Sequence, residues 1–176
     1  MNSSEKKLRP WVKGFFYLSG SVFLSGIFLG SALGVSLSSL ESHAIKTSFW
    51  ELFTHNVKVC LFILIIGGVT GSIYSYFIIF INGFLIGKLL CFLYSIRELK
   101  QVISGLLPHF FFEVFGLMIF STLSSLPLFI GYQMLRTENY QLSAKFFRVL
   151  FYGLLIGFVL IFIAALIEVK ISKVNF

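Results

Sequence analysis

The chain has 176 residues, of which 57% are hydrophobic and 12% charged, and its net charge is +7. Soluble domains carry about twice that charged fraction, and a mean hydropathy of +0.94 exceeds what one small water-facing domain could bury. The basic residues sit at the ends of apolar runs, where Lys and Arg anchor helices at lipid headgroups, so the charge points to a bilayer and not to nucleic acid.

Long continuous apolar runs, in place of short alternating stretches, make the spans helices and not barrel strands. The expected fold class is all-α, a polytopic transmembrane helical bundle in a single integral membrane domain. The N-terminal segment 1–13, MNSSEKKLRPWVK, is basic, and the apolar run after it is longer than a signal-peptide core. It is therefore read as leading into a retained first span, about 14–38. The second and third spans are expected at about 57–75 and 77–96. As one helix, the run from 57 to 96 would reach about 60 Å, so it must fold back, and GSIYSY at 71–76 offers the reversal. A segment before the fourth span, 97–107, is a candidate re-entrant or interfacial stretch. Span four is expected at about 108–134, kinked at Pro127, and span five at about 149–167.

Five spans put the N-terminal cluster Lys6, Lys7, Arg9 and Lys13 on the same side as Arg136, Lys145 and Arg148. By the positive-inside bias that side is the cytoplasm. Small residues recur four apart, as Gly26, Gly30, Gly34 and Ser38, as Gly67, Gly71 and Ser75, as Gly83 and Gly87, and as Gly153 and Gly157. Such faces let helices approach closely, within one bundle or between copies and partner chains. Cys60 and Cys91 both lie in apolar runs and read as small buried hydrophobes. All seven acidic residues are Glu, so no clustered-carboxylate metal site and no cofactor are expected.

Polar groups inside spans are costly, and three places hold them. His55 and Asn56 open the second span, where Asn56 suits an N-cap. Asn82 and Gly83 lie mid-span in the third, where an amide needs a partner and Gly admits a neighbouring backbone. The stretch LLPHFFFEVFG carries Pro108, suited to a first helical turn, and His109 and Glu113, which project from one face about 6 Å apart at Cβ. Lys88 lies at a similar depth, so an ion pair with Glu113 accounts for both charges without chemistry. Alternatively, Glu113 as base with His109 and an amide makes a complete set for amide chemistry. On these terms His109 and Glu113 are the catalytic candidates. Asn56, Asn82, Gly83, Pro108 and Lys88 make up a binding or structural polar pocket.

These three places, in this order, resemble the stage II sporulation protein M family. FWELFTHNVKVCLFILIIGGVTGS, FIIFINGFLIGKLL and SGLLPHFFFEVFG follow its pattern of an Asn-containing pair, an Asn-Gly and a Pro-His-Gly-x-x-Glu motif. His55 stands where a second Asn is common, and Phe110 replaces the Gly after Pro-His. The resemblance covers about 49–134. It implies a multi-pass protein of the bacterial cell membrane that acts with partner proteins, in envelope remodelling or in bacteriocin-like peptide maturation, export or immunity. Lipid and other membrane proteins are then the expected partners, including an ABC-type ATPase, a peptide precursor or a second copy. The competing expectation is an intramembrane peptidase or peptide cyclase.

Overall fold

The computed structural model describes residues 3–33, 48–95, 107–136 and 143–174. They form α1 (Ser3–Ala32), α2 (Phe49–Val69), α3 (Ile73–Ser95), α4 (Leu107–Ser124), α5 (Leu126–Arg136) and α6 (Ala144–Val174). Five segments are long and apolar enough to cross a membrane: Lys7–Ala32, Phe49–Val69, Ile73–Ser95, Pro108–Arg136 and Ala144–Lys170. The chain is thus the expected five-span helical bundle. The fourth span, α4 with α5, is the axis: 67% of its apolar window is buried, against 17–22% for each of the others.

Several boundaries differ from the sequence expectation. Gly34, Ser38 and the proposed re-entrant stretch up to residue 106 lie outside the described residues. Span two starts at Phe49 and not at 57. The Glu51 carboxylate accepts from the Ser48 backbone N–H at 2.9 Å, one half of a capping box that starts the helix early. Phe49 and Phe53 also pack edge-on against Phe162 of α6, with centroids 5.4 and 5.6 Å away. Asn56 is therefore two turns inside α2 and is not its cap.

The reversal is tighter than the six-residue stretch read from sequence. Gly71 and Ser72 both take left-handed backbone, φ 61° and 73°, and the Ser72 N–H reaches back to the Gly67 carbonyl at 2.6 Å. That six-to-one bond is a Schellman closure, which needs a left-handed residue at the position Gly71 fills. The break in span four falls at Ser125, ahead of Pro127. Hydroxyls of Thr122, Ser124 and Ser125 bond the carbonyls of Met118, Ser121 and Thr122 at 2.7–2.8 Å. This back-bonding loosens the last turn of α4, and Pro127 supplies no N–H to resume the ladder.

Two kinds of contact join the helices. Along the α1–α3 seam the backbones touch: a Cβ on Gly26 or Gly30 would meet the carbonyls of Phe80 or Phe84 at under 3.0 Å. Reciprocally, one on Gly83 or Gly87 would meet those of Phe23 or Ile27. The rising register, 23 beside 83 and 27 beside 87, makes the helices parallel. Ser31 adds a hydroxyl bond to the Gly87 carbonyl at 3.3 Å. The second kind is a buried hydroxyl cluster where α1, the α2–α3 turn and the end of α4 meet. Ser75 and Ser124 are 2.7 Å apart, Ser124 and Ser72 3.3 Å, and Ser19 and Ser121 3.2 Å. Trp11 donates to the Ser125 hydroxyl at 3.3 Å. Large apolar side chains such as Tyr17, Phe28, Ile65 and Phe151 point outward, toward lipid.

The seam yields a test. Gly30→Leu must push α1 off α3 and should sharply lower folded yield and melting temperature in detergent. Gly14→Ala, where nothing lies within 4 Å of an added Cβ, should leave both unchanged. Wild-type melting of Gly30→Leu would rule out the backbone contact.

Candidate functional site

The two ends of the bundle differ. One end gathers the start of α1, the α2–α3 turn, α5 and the start of α6, tied by Leu8 packing with Phe129 and Phe146. The other gathers the start of α2, the end of α3, the start of α4 and the end of α6. Of the polar residues singled out inside the spans, His55, Asn56, His109 and Glu113 belong to this second end, Lys88 lies toward it, and Asn82 lies mid-span in α3.

Two faces of α4 divide them. Val114 and Met118, with Phe110, pack against Phe23 of α1 and Ile79 of α3. Leu117 and Phe120 pack against Cys60 and Ile63 of α2 and Ile161 of α6. At 100° per residue, Glu113 and His109 follow Leu117 and Phe120 and not Val114, roughly a quarter turn away. Glu113 accordingly lies within electrostatic reach of Cys60 on α2 and of Glu168 on α6.

Helix register extends the group. Gly67 abuts Ser124, and α2 runs parallel to α4, so Asn56 stands level with Glu113. It shares the face of the buried Cys60, Ile63 and Gly67, while His55 beside it is exposed. Helix α6 runs antiparallel, with Gly116 against Ile161, Phe120 against Gly157 and Leu123 against Gly153. Continued upward, that register sets His109 level with Glu168. Asn56, Cys60, His109, Glu113 and Glu168 thus line one junction of α2, α4 and α6. Pro108, half-buried, is the second residue of α4 and forms its first turn.

The remaining candidates belong to the α1–α3 side. Asn82 lies on the α3 face of Ile79 and Ile86, and its amide donates to the Ile78 carbonyl at 3.0 Å within its own helix. Gly83 is part of the glycine seam. Lys88 follows Phe84 along that seam, its Nζ 5.1 Å from the Phe84 ring centroid. Glu113 has an acidic neighbour in Glu168 of α6, on the other side of α4 from the seam that carries Lys88.

Sequence reasoning missed Glu168 because the fifth span was ended at residue 167. The signal is nevertheless present: Ile161, Ala164 and Ala165 are buried, and Glu168 continues their three-and-four spacing. The hydroxyl cluster was also missed, since serines scattered through four segments carry no local pattern.

Four spanning segments around a fourth-in-order span that is two-thirds buried, with half-buried ionisable groups at one end, define a polytopic α-helical integral membrane protein. The sequence model of stage II sporulation protein M matches residues 19–173, and the chain belongs to that family. The match reaches beyond the 49–134 region of the motifs into both outer spans, and it includes Glu168. The chain is also similar to an uncharacterized protein of Methanocaldococcus jannaschii, 28% identical over 130 residues, covering 73% of this chain and 72% of the relative. No solved structure matches.

The junction makes a thermodynamic prediction. Two ionised carboxylates in mutual reach repel, by on the order of 1 kcal/mol at a partly solvated site. At pH 9, Glu168→Gln should raise the melting temperature, and the gain should vanish in a Glu113→Gln background. Equal gains in both backgrounds would dissolve the coupling.

Proposed function

We propose that this chain is a membrane subunit of the cell envelope that works with partner proteins on a peptide, in bacteriocin-like maturation, export or immunity, or in envelope remodelling. Its working centre is the junction of Asn56, His109, Glu113 and Glu168. The observation that carries the reading is the convergence of three helices on Glu113. Intramembrane carboxylates are expensive, and one that is kept inside a bundle marks a functional position. The partners in this reading are other membrane proteins, an ATPase of the ABC type that supplies energy, and a peptide precursor. The basic end of the bundle faces the cytoplasm, by the positive-inside bias of Lys7, Arg9, Lys13, Arg136, Lys145 and Arg148.

A second reading, intramembrane peptide hydrolysis or cyclisation, draws on one specific feature. Glu168 adds a second carboxylate to a Glu, a His and an amide, giving residue types for a base, an acid and an oxyanion donor.

Glu113→Gln separates the two, because it keeps the shape and hydrogen bonding of Glu113 while removing its basicity. As a subunit, the variant should still fold, and processing of the peptide should continue, with co-purification of partner chains weakened. As an enzyme, it should assemble normally and lose processing by at least 100-fold, the lower range for a general base. Normal assembly and normal processing together would remove Glu113 from both readings.

A further inference from the structure

A cleft of about 310 Å³ runs between α1, α4 and α6 at the end opposite the carboxylates. Val12, Phe16, Ile119, Leu123 and Val149 make its walls apolar, and Lys13 is the charged residue in the lining. The Thr122 hydroxyl in the wall is committed to the Met118 carbonyl at 2.8 Å, so the interior asks for hydrocarbon. Along α6 the lining runs from Val149 to Ile156, about 10 Å of helix.

We propose that this cleft holds an acyl chain of an anionic phospholipid whose headgroup is bound by Lys13, Arg9 and Arg148. Charge selects the headgroup. Helices α1 and α6 both begin at this end. Arg9 stands one turn from Lys13 on the same face of α1, Arg148 adjoins Val149 on α6, and all three basic residues are exposed. Glu51, Glu113 and Glu168 stand at the far end of the bundle. The mouth thus sets exposed Arg9, Lys13 and Arg148 over an apolar slot, with Glu5 a turn further out on α1; basic residues over apolar walls are the arrangement that captures anionic headgroups between transmembrane helices. The lining selects the tail. Apart from Lys13, Tyr17 and the committed Thr122, it offers only hydrocarbon along about 10 Å of helix, a surface that a flexible acyl chain can follow.

The test uses the full chain in detergent, with phosphatidylglycerol and phosphatidylcholine as probes, read by native mass spectrometry. Phosphatidylglycerol should be retained in preference, and in nanodiscs it should raise the melting temperature over phosphatidylcholine alone. The double variant Arg9→Gln with Lys13→Gln should cut the preference roughly 30-fold, the worth of two basic side chains near an anionic membrane surface. Val149→Phe, which fills the slot and leaves the cations in place, should abolish retention while keeping wild-type melting in phosphatidylcholine. Equal retention of the two lipids would overturn the site, as would a preference that survives both variants. A dimer that dissociates with Val149→Phe and shows no lipid preference would assign the cleft to a second copy.

Discussion

Helices in lipid gain nothing from burying apolar side chains against one another, because the acyl chains around them are equally apolar. What remains is close packing and internal hydrogen bonding, and this bundle uses each in a separate place. Along the α1–α3 seam four glycines bring backbone onto backbone, close enough for Cα–H groups to face carbonyls. At the end of α4 serine and threonine hydroxyls bond across three elements. Those two attachments fix α1 and α3 on one side of α4. Helices α2 and α6 are left to close the other side, and the polar junction forms there.

The hydroxyl cluster and the carboxylate junction occupy opposite ends of α4 and solve opposite problems. A hydroxyl can return its hydrogen bond to a carbonyl of its own helix, as Thr122 and Ser125 do, so the serines cost little inside the bundle. A carboxylate has no donor to give such a carbonyl. Glu113 therefore depends on what α2 and α6 bring to it. The end rich in serine can be packed tight, while the end bearing Glu113 must keep a polar group in contact with other polar groups.

Length and hydropathy made the five spans legible, because a bilayer imposes about 20 apolar residues per crossing whatever the packing. Their ends were less legible. Polar Ser48 and Glu51 lie outside an apolar window, yet the Glu51 carboxylate accepting from the Ser48 N–H begins α2, so hydropathy alone started the helix late. The candidate site was half legible. His109 and Glu113 share a face by spacing, and that survives in the fold. Which amide joins them is a matter of helix register. Asn82 looked the more isolated of the two, but it lies on the face of Ile79 and bonds within its own helix. Asn56, read as a cap, is the one carried onto the face that meets Leu117 and Phe120, the side of α4 that Glu113 shares. Neither assignment follows from spacing within one helix, since each depends on how two helices are rotated against a third.

The same small residues that pack α4 against α6 also set the chemistry of the junction. Gly116 accepts Ile161, and Gly157 and Gly153 accept Phe120 and Leu123, so the two helices lie close and in one register. Continued toward the ends, that register decides how near Glu168 comes to Glu113, because a rigid helix transmits a shift at one turn to the next. Buried Ala164 and Ala165 keep the approach tight on the last turn before Glu168. A larger residue at Gly116 would move the carboxylates apart without touching either. The spacing of the two acidic groups is thus a property of helix packing. A junction of this kind can be tuned through the α4–α6 contact instead of through its own side chains.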